Sequence, residues 1–158
     1  MQFKTALHAL CDAQVEFVVI GGVSATLHGS ARVTLDLDIF YSRVPANLKR
    51  VVAALAPFHP KPRDFPSGLP FIWDDATLRN SSVLTLQTDI GKIDLLAEVA
   101  GLGGWNDVNE QAITVTIFDR NIRTLDLPSL IASKRAAGRP KDLEALPELE
   151  SILESEKQ

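Results

Sequence analysis

Two aspartates one position apart, Asp36 and Asp38, lie in the run Thr34-Leu35-Asp36-Leu37-Asp38-Ile39. Side chains alternate along a strand, so Thr34, Asp36, Asp38 and Phe40 project one way while Leu35, Leu37 and Ile39 project the other. The apolar set can pack on a core, which leaves two carboxylates side by side on the open face. Adjacent negative charges repel unless a cation or a shared proton lies between them. Hard carboxylate oxygens suit magnesium. The alternative is a half-exposed strand with a merely acidic outer face. Upstream, Val18-Val19-Ile20-Gly21-Gly22-Val23-Ser24 reads as a buried strand entering a glycine turn and a short helix. Gly21 and Gly22 would then present bare backbone N–H groups at the positive end of a helix, a good place for a phosphate. Ser24 falls in the first turn of that helix, where its hydroxyl either caps the backbone or touches the phosphate. Arg32, just before the acidic strand, either pairs with Asp36 or Asp38 or contacts a nucleotide phosphate.

Two further groups could do chemistry. Asp94 sits in Lys92-Ile93-Asp94-Leu95-Leu96, among apolar neighbours that would bury it. A buried carboxylate is costly without a cation, so Asp94 is either a salt-bridged core residue or a third metal ligand on a strand beside that of Asp36 and Asp38. Lys134, Arg135, Arg139 and Lys141 form the densest basic cluster of the chain, either solvated surface or a contact for a triphosphate or nucleic acid. His28 reads as a packed turn histidine and Cys11 as a buried structural thiol.

The elements that must position these residues follow from pattern. Phe3, Leu7, Leu10 and Cys11 predict an amphipathic helix over 3–14, and Glu16 to Ile20 a central strand. A helix of under two turns is expected over 23–28, a surface helix over 46–55 after Pro45, and a loop over 57–70, where five of the nine prolines fall. Lys61 and Arg63 in that loop read as solvated charges. From Thr77 the pattern returns to β, with strands expected over 83–88 and 92–96 around a turn at 89–91, then over 112–118 and 122–125, with 101–109 a glycine-rich loop around a packing Trp105. Leu127 starts a helix running to Gly138, and Pro140 starts another to about Glu154.

A chain of 158 residues makes one domain with a small helical appendage. The formal net charge of −4 excludes a broadly basic nucleic-acid-coating protein but allows a local basic patch. The single cysteine excludes an internal disulfide and fits a reducing cytoplasm. No apolar run approaches membrane-spanning length and no signal-peptide layout is present, so the expectation is a cytoplasmic protein without membrane contact. A dinucleotide-binding fold is rejected, because the third glycine is missing and the acidic pair arrives too early.

Taken together, Ile20-Gly21-Gly22, Leu27-His28-Gly29, Arg32-Val33-Thr34, Asp36-Leu37-Asp38-Ile39 and Gly91-Lys92-Ile93-Asp94 resemble the nucleotidyltransferase superfold of DNA polymerase beta and kanamycin nucleotidyltransferase. The chain is most similar to the minimal nucleotidyltransferases, including the AbiEii-like toxins of abortive-infection systems. Its tail shares the likeness through Leu130, Lys134, Gly138-Arg139-Pro140-Lys141-Asp142 and Leu143, so that about residues 16–150 are covered. The resemblance implies an α/β (α+β) fold, with a mixed-sheet nucleotidyltransferase core over 1–126 flanked by helices and a short C-terminal helical pair over 127–158 packed on it. It implies a magnesium-dependent transfer of a nucleoside monophosphate from an NTP such as ATP to an acceptor hydroxyl on RNA, tRNA or protein. Asp36 and Asp38 would hold two Mg2+ ions, and Asp94 would bind one of them and help deprotonate the acceptor. Gly21, Gly22 and Ser24 would cradle the β- and γ-phosphates, with Lys134 and Arg139 neutralising the triphosphate. Where many members carry a glycine-serine turn this chain has Gly21-Gly22, which leaves Ser24 as the hydroxyl on offer. A toxin held by an antitoxin partner is an extension of the same resemblance. The alternative is a catalytically silent nucleotide- or metal-binding module acting with a partner protein.

Overall fold

Ala6, Leu7 and Leu10 fall on one side of α1 (Phe3–Asp12), and all three are buried. The chain then enters β1 (Phe17–Ile20), whose four β-branched and aromatic residues are all buried. The computed structural model describes residues 1–158. β1 passes directly into α2 (Gly21–Leu27), which starts at the glycines, two residues earlier than their turn-forming tendency suggests. β2 (Asp36–Tyr41) returns antiparallel to β1, pairing Ile20 with Asp38. Pro45 opens α3 (Pro45–Leu55), a fitting first helical position for a residue without an N–H.

The proline-rich stretch is not all loop. It holds a 3-10 turn (Ala56–Phe58) and a two-residue strand, β3 (Lys61–Pro62). A proline is tolerated there because β3 lies at the edge of the sheet and owes no hydrogen bond outward. A helix, α4 (Asp75–Arg79), precedes β4 (Val83–Thr88), where the pattern from Thr77 onward had suggested strand. The Asp74 carboxylate accepts from the Thr77 N–H at 2.9 Å and starts that turn. β5 (Gly91–Leu96) follows across a tight hairpin. The glycine-rich segment gives way to α5 (Trp105–Gln111) because Asp107 accepts from the Gly104 N–H at 3.3 Å and caps the first turn. Trp105 does pack, with its ring centroid 5.5 Å from that of Phe40. β6 (Ala112–Ile117) and β7 (Arg120–Leu125) form a second hairpin whose two turn residues, Phe118 and Asp119, both have positive φ. α6 (Leu127–Ala137) and α7 (Pro140–Glu156) complete the chain.

The strands form one mixed sheet in the order β3-β4-β5-β2-β1-β7-β6. β2 runs parallel to β5 and β1 parallel to β7, while the remaining pairs are antiparallel. Two apolar clusters cover the two faces. One joins α1, α3 and α4 to Leu37, Ile39 and Ile93; the other joins α5, α6 and α7 to Val18, Phe40 and Leu125. Phe40 therefore lies on the α6–α7 face, and the period of two carries Asp38 and Asp36 onto that same face beyond the edge of the helices. Leu35 does not join the core. Pairing of β2 begins only at Asp36, and Leu35 is 69% exposed. No helix is long and apolar enough to cross a membrane.

Candidate active site

The sheet side of the site is built by close contact between two backbones. Gly21 has φ +64°, and a Cβ there would fall 2.1 Å from Asp38 Oδ2. At Gly22 a Cβ would lie 2.6 Å from the Thr34 hydroxyl. Both glycines let the start of α2 press against β2, and Gly21 in addition adopts a left-handed conformation that an L side chain resists. Leu37 and Ile39 are fully buried on one face of β2, which fixes Asp36 and Asp38 on the other.

That face borders a cleft of about 640 Å³. Gly21, Gly22, Asp36 and Asp38 line its sheet side, and Lys134, Arg139 and Lys141 line the opposite side. The basic side is fixed by the sharp junction of α6 and α7. Gly138 closes α6 in the left-handed conformation, and Pro140 is the first residue of α7. The buried carboxylate of Asp142 accepts from Arg139 Nε at 2.6 Å and Nη2 at 3.3 Å, and Lys134 Nζ stands 3.9 Å away. Burial alone would raise the Asp142 carboxyl, but the hydrogen bonds from Arg139 and the charges of Arg139 and Lys134 outweigh it and hold its pKa low. Burial pulls the Lys134 ammonium below its ordinary value, against the opposing pull of Asp142 and Asp38.

Asp38 is the counterpart on the sheet. Burial, followed by the neighbouring charges of Asp94 and Asp36, pushes its carboxyl up to about 7. Its Oδ1 is buried with no hydrogen-bond partner. Asp94 stands opposite Asp38 in the β2–β5 register, as expected for neighbouring strands, but its carboxylate is engaged elsewhere. Arg63 Nη2 donates to Asp94 Oδ1 at 2.5 Å and lies 4.0 Å from Asp36 Oδ2. Arg63 is thus not a solvated charge. Its N–H donates to the Thr85 carbonyl at 2.9 Å, which extends the edge pairing of β3 by one residue and aligns Arg63, Thr85, Asp94 and Asp38 across the sheet.

No three His, Cys, Asp or Glu side chains are arranged as a metal cage. The donor set nevertheless fits a hard divalent cation at Asp36 and Asp38. The candidate donors are carboxylate oxygens, and one of them is buried without any partner. Other candidates fall in different places. Ser24 is fully buried beneath the helix, its hydroxyl 2.7 Å from that of Thr124, and it does not line the cleft. The rotation of α2 turns it toward β7 and away from the cleft. Arg32 lines the cleft but faces Glu144 at 3.7 Å instead of Asp36 or Asp38. The segment carrying it is pinned to α7 by Glu148, which accepts from the Ser30 hydroxyl at 2.5 Å and the Ala31 N–H at 3.0 Å. His28 Nε2 donates to the Leu125 carbonyl at 2.7 Å, a packed turn histidine. Cys11 is half-buried, with burial raising its thiol pKa.

Arg63 reads from sequence as a solvated charge, and Asp142 stands there in the tail motif without a role of its own. Arg63 had one usable signal, the alternation Lys61-Pro62-Arg63, which suits an edge strand. Asp142 follows the basic cluster directly, yet its role depends on the turn between the helices.

The architecture is an α/β fold with a mixed seven-stranded sheet. It is shared by a solved Thermotoga maritima protein provisionally described as a nucleotidyltransferase, with a TM-score of 0.57 at 18% identity, over 92% of this chain and 88% of that one. No protein-family profile and no curated protein sequence matches the chain.

Proposed function

We propose that this chain is a magnesium-dependent nucleotidyltransferase that moves a nucleoside monophosphate from an NTP to an acceptor hydroxyl. The observation that carries the reading is the pairing of opposite walls in one cleft. Asp36 and the under-partnered Asp38 face Lys134 and Arg139 across about 640 Å³. Asp36 and Asp38 would hold the magnesium, with Asp94 as a further ligand. When bound, the metal would supply charge neutralisation at the attacking and leaving oxygens of an in-line displacement. Lys134 and Arg139 bind and orient the triphosphate, with Asp142 holding both cations toward it. Gly21 and Gly22, whose missing Cβ atoms make room for Asp38 and Thr34, would offer backbone N–H groups to the phosphates. The acceptor oxygen forms a bond to the α-phosphorus, the α–β bridging bond breaks, and pyrophosphate leaves. Asp94 takes the acceptor proton.

An RNA, tRNA or protein acceptor suits a cleft that is open to solvent. The AbiEii-like resemblance adds a toxin role restrained by an antitoxin protein. The test is incubation with each α-labelled NTP, magnesium, and total RNA or protein. Label should enter one fraction and be lost in Asp36→Asn; label retained in an Asp36→Asn/Asp38→Asn double variant would overturn the reading.

A further inference from the structure

Arg63 reaches the carboxylate patch from outside the cleft. Its guanidinium offers five N–H donors, yet one nitrogen makes the whole contact with Asp94, at 2.5 Å. Arg63 Nε is buried and has no partner. A structural arginine–carboxylate pair usually engages two nitrogens as a fork, as Arg139 does with Asp142. The Arg63 contact is incomplete by that standard. The residue also hangs from the weakest part of the sheet, a two-residue edge strand containing a proline. Its long side chain can rotate toward solvent without disturbing any central strand.

The position it fills is the informative part. Nη2 sits between Asp94 and Asp36, and Asp38 pairs in register with Asp94. The guanidinium thus places positive charge where three carboxylates accumulate negative charge. Lys92, on the same face and in register with Asp36, makes no ion pair with these carboxylates.

We infer that Arg63 is a built-in counter-cation, an alternative partner of Asp94 that must withdraw before a divalent cation can take that carboxylate, so that metal binding frees the Arg63 side chain. This rests on the assignment of Asp36, Asp38 and Asp94 as the metal ligands. The affinity of the site for the cation is then set partly by how readily Arg63 leaves.

The experiment is calorimetric titration of Mg2+, and separately Mn2+, into the full chain and into Arg63→Gln and Lys92→Gln, with no nucleotide present. Removing one charge-assisted hydrogen bond that competes with the metal should tighten binding about tenfold in Arg63→Gln. Lys92→Gln removes the same charge and should change affinity by less than about threefold. Equal gains in the two variants, or no gain in Arg63→Gln, would overturn the counter-cation role while leaving the metal site standing. No metal binding by any of the three proteins would instead overturn the ligand assignment itself. A second measurement needs no variant. Arginine side-chain NMR signals of Arg63, held by Asp94, should show slowed guanidinium rotation that is lost on adding Mg2+; signals that persist under saturating metal would contradict the inference.

Discussion

Two aspartates face each other across the cleft in opposite circumstances. Asp142, at the α6–α7 junction, is buried and has a forked arginine and a lysine around it. Asp38, on β2, is crowded by two other carboxylates and has a buried oxygen with no partner. Their pKa values move apart accordingly, Asp142 downward and Asp38 up to about 7. A buried carboxylate whose partners are all supplied by the protein serves the structure. One left short of a partner and crowded by like charge is the candidate place for a bound cation or a shared proton.

Neutralising each in turn should sharpen the contrast. Asp38→Asn should lower nucleotidyl transfer by about a thousandfold or more, ~4 kcal/mol of transition-state stabilisation, with thermal stability unchanged or raised. Asp142→Asn should instead destabilise the fold by about 2 kcal/mol, because it leaves the largely buried Lys134 without its carboxylate, while the exposed Arg139 returns to solvent. Paired thermal melts and transfer assays read both effects; equal destabilisation by the two changes would remove the distinction.

Gly21→Ala attacks the contact that brings the two sheet elements together. A methyl group 2.1 Å from Asp38 Oδ2, on a backbone at φ +64°, must displace that carboxylate. Denaturant unfolding should show a loss of about 2–3 kcal/mol, accompanied by loss of transfer.

Acid should erase the Asp142 side of the comparison. A depressed folded pKa means that Asp142 contributes stability above its unfolded value, near about 4, and that this contribution is lost as pH falls through the lower folded value. The melting-temperature gap between the wild-type chain and Asp142→Asn should therefore be constant from about pH 5 to 8 and close below about pH 4.

The smallest effect belongs to Ser24. Because its hydroxyl meets Thr124 inside the protein, Ser24→Ala should cost about 1 kcal/mol of stability and leave NTP affinity unchanged in an equilibrium binding assay.

The residues that were legible in the sequence share a cause. Asp36 and Asp38 could be placed on one face because β2 is flanked by β-branched and leucine residues that enforce a period of two. Gly21 and Gly22 stood out because they follow a wholly apolar run. The basic cluster was visible in its composition, but its position over the carboxylates was not, since that depends on how α6 and α7 pack on the sheet. The surroundings of Ser24 and of Arg32, which does line the cleft, likewise depend on tertiary packing. One helix rotation sends Ser24 inward, and Glu144 on α7, 112 positions downstream in sequence from Arg32, is the acid that meets that arginine. Arg63 needed the cross-sheet register, which carries it past β4 to a carboxylate 31 positions away. Helix α4 was hidden by a strand-like continuation, although Asp74 and Thr77 carried a capping signal. In α5 the glycines concealed a helix start that Asp107 stabilises.

The most direct test of the central claim uses one NTP labelled at either the α- or the γ-phosphate, with magnesium and the acceptor fraction. The account predicts α-label on the acceptor and γ-label in released pyrophosphate, both abolished by a chelator and by Asp38→Asn. Transfer of the γ-label to the acceptor would contradict it. So would an NTP that binds and raises the melting temperature while neither label moves, which is the behaviour of a silent nucleotide-binding module.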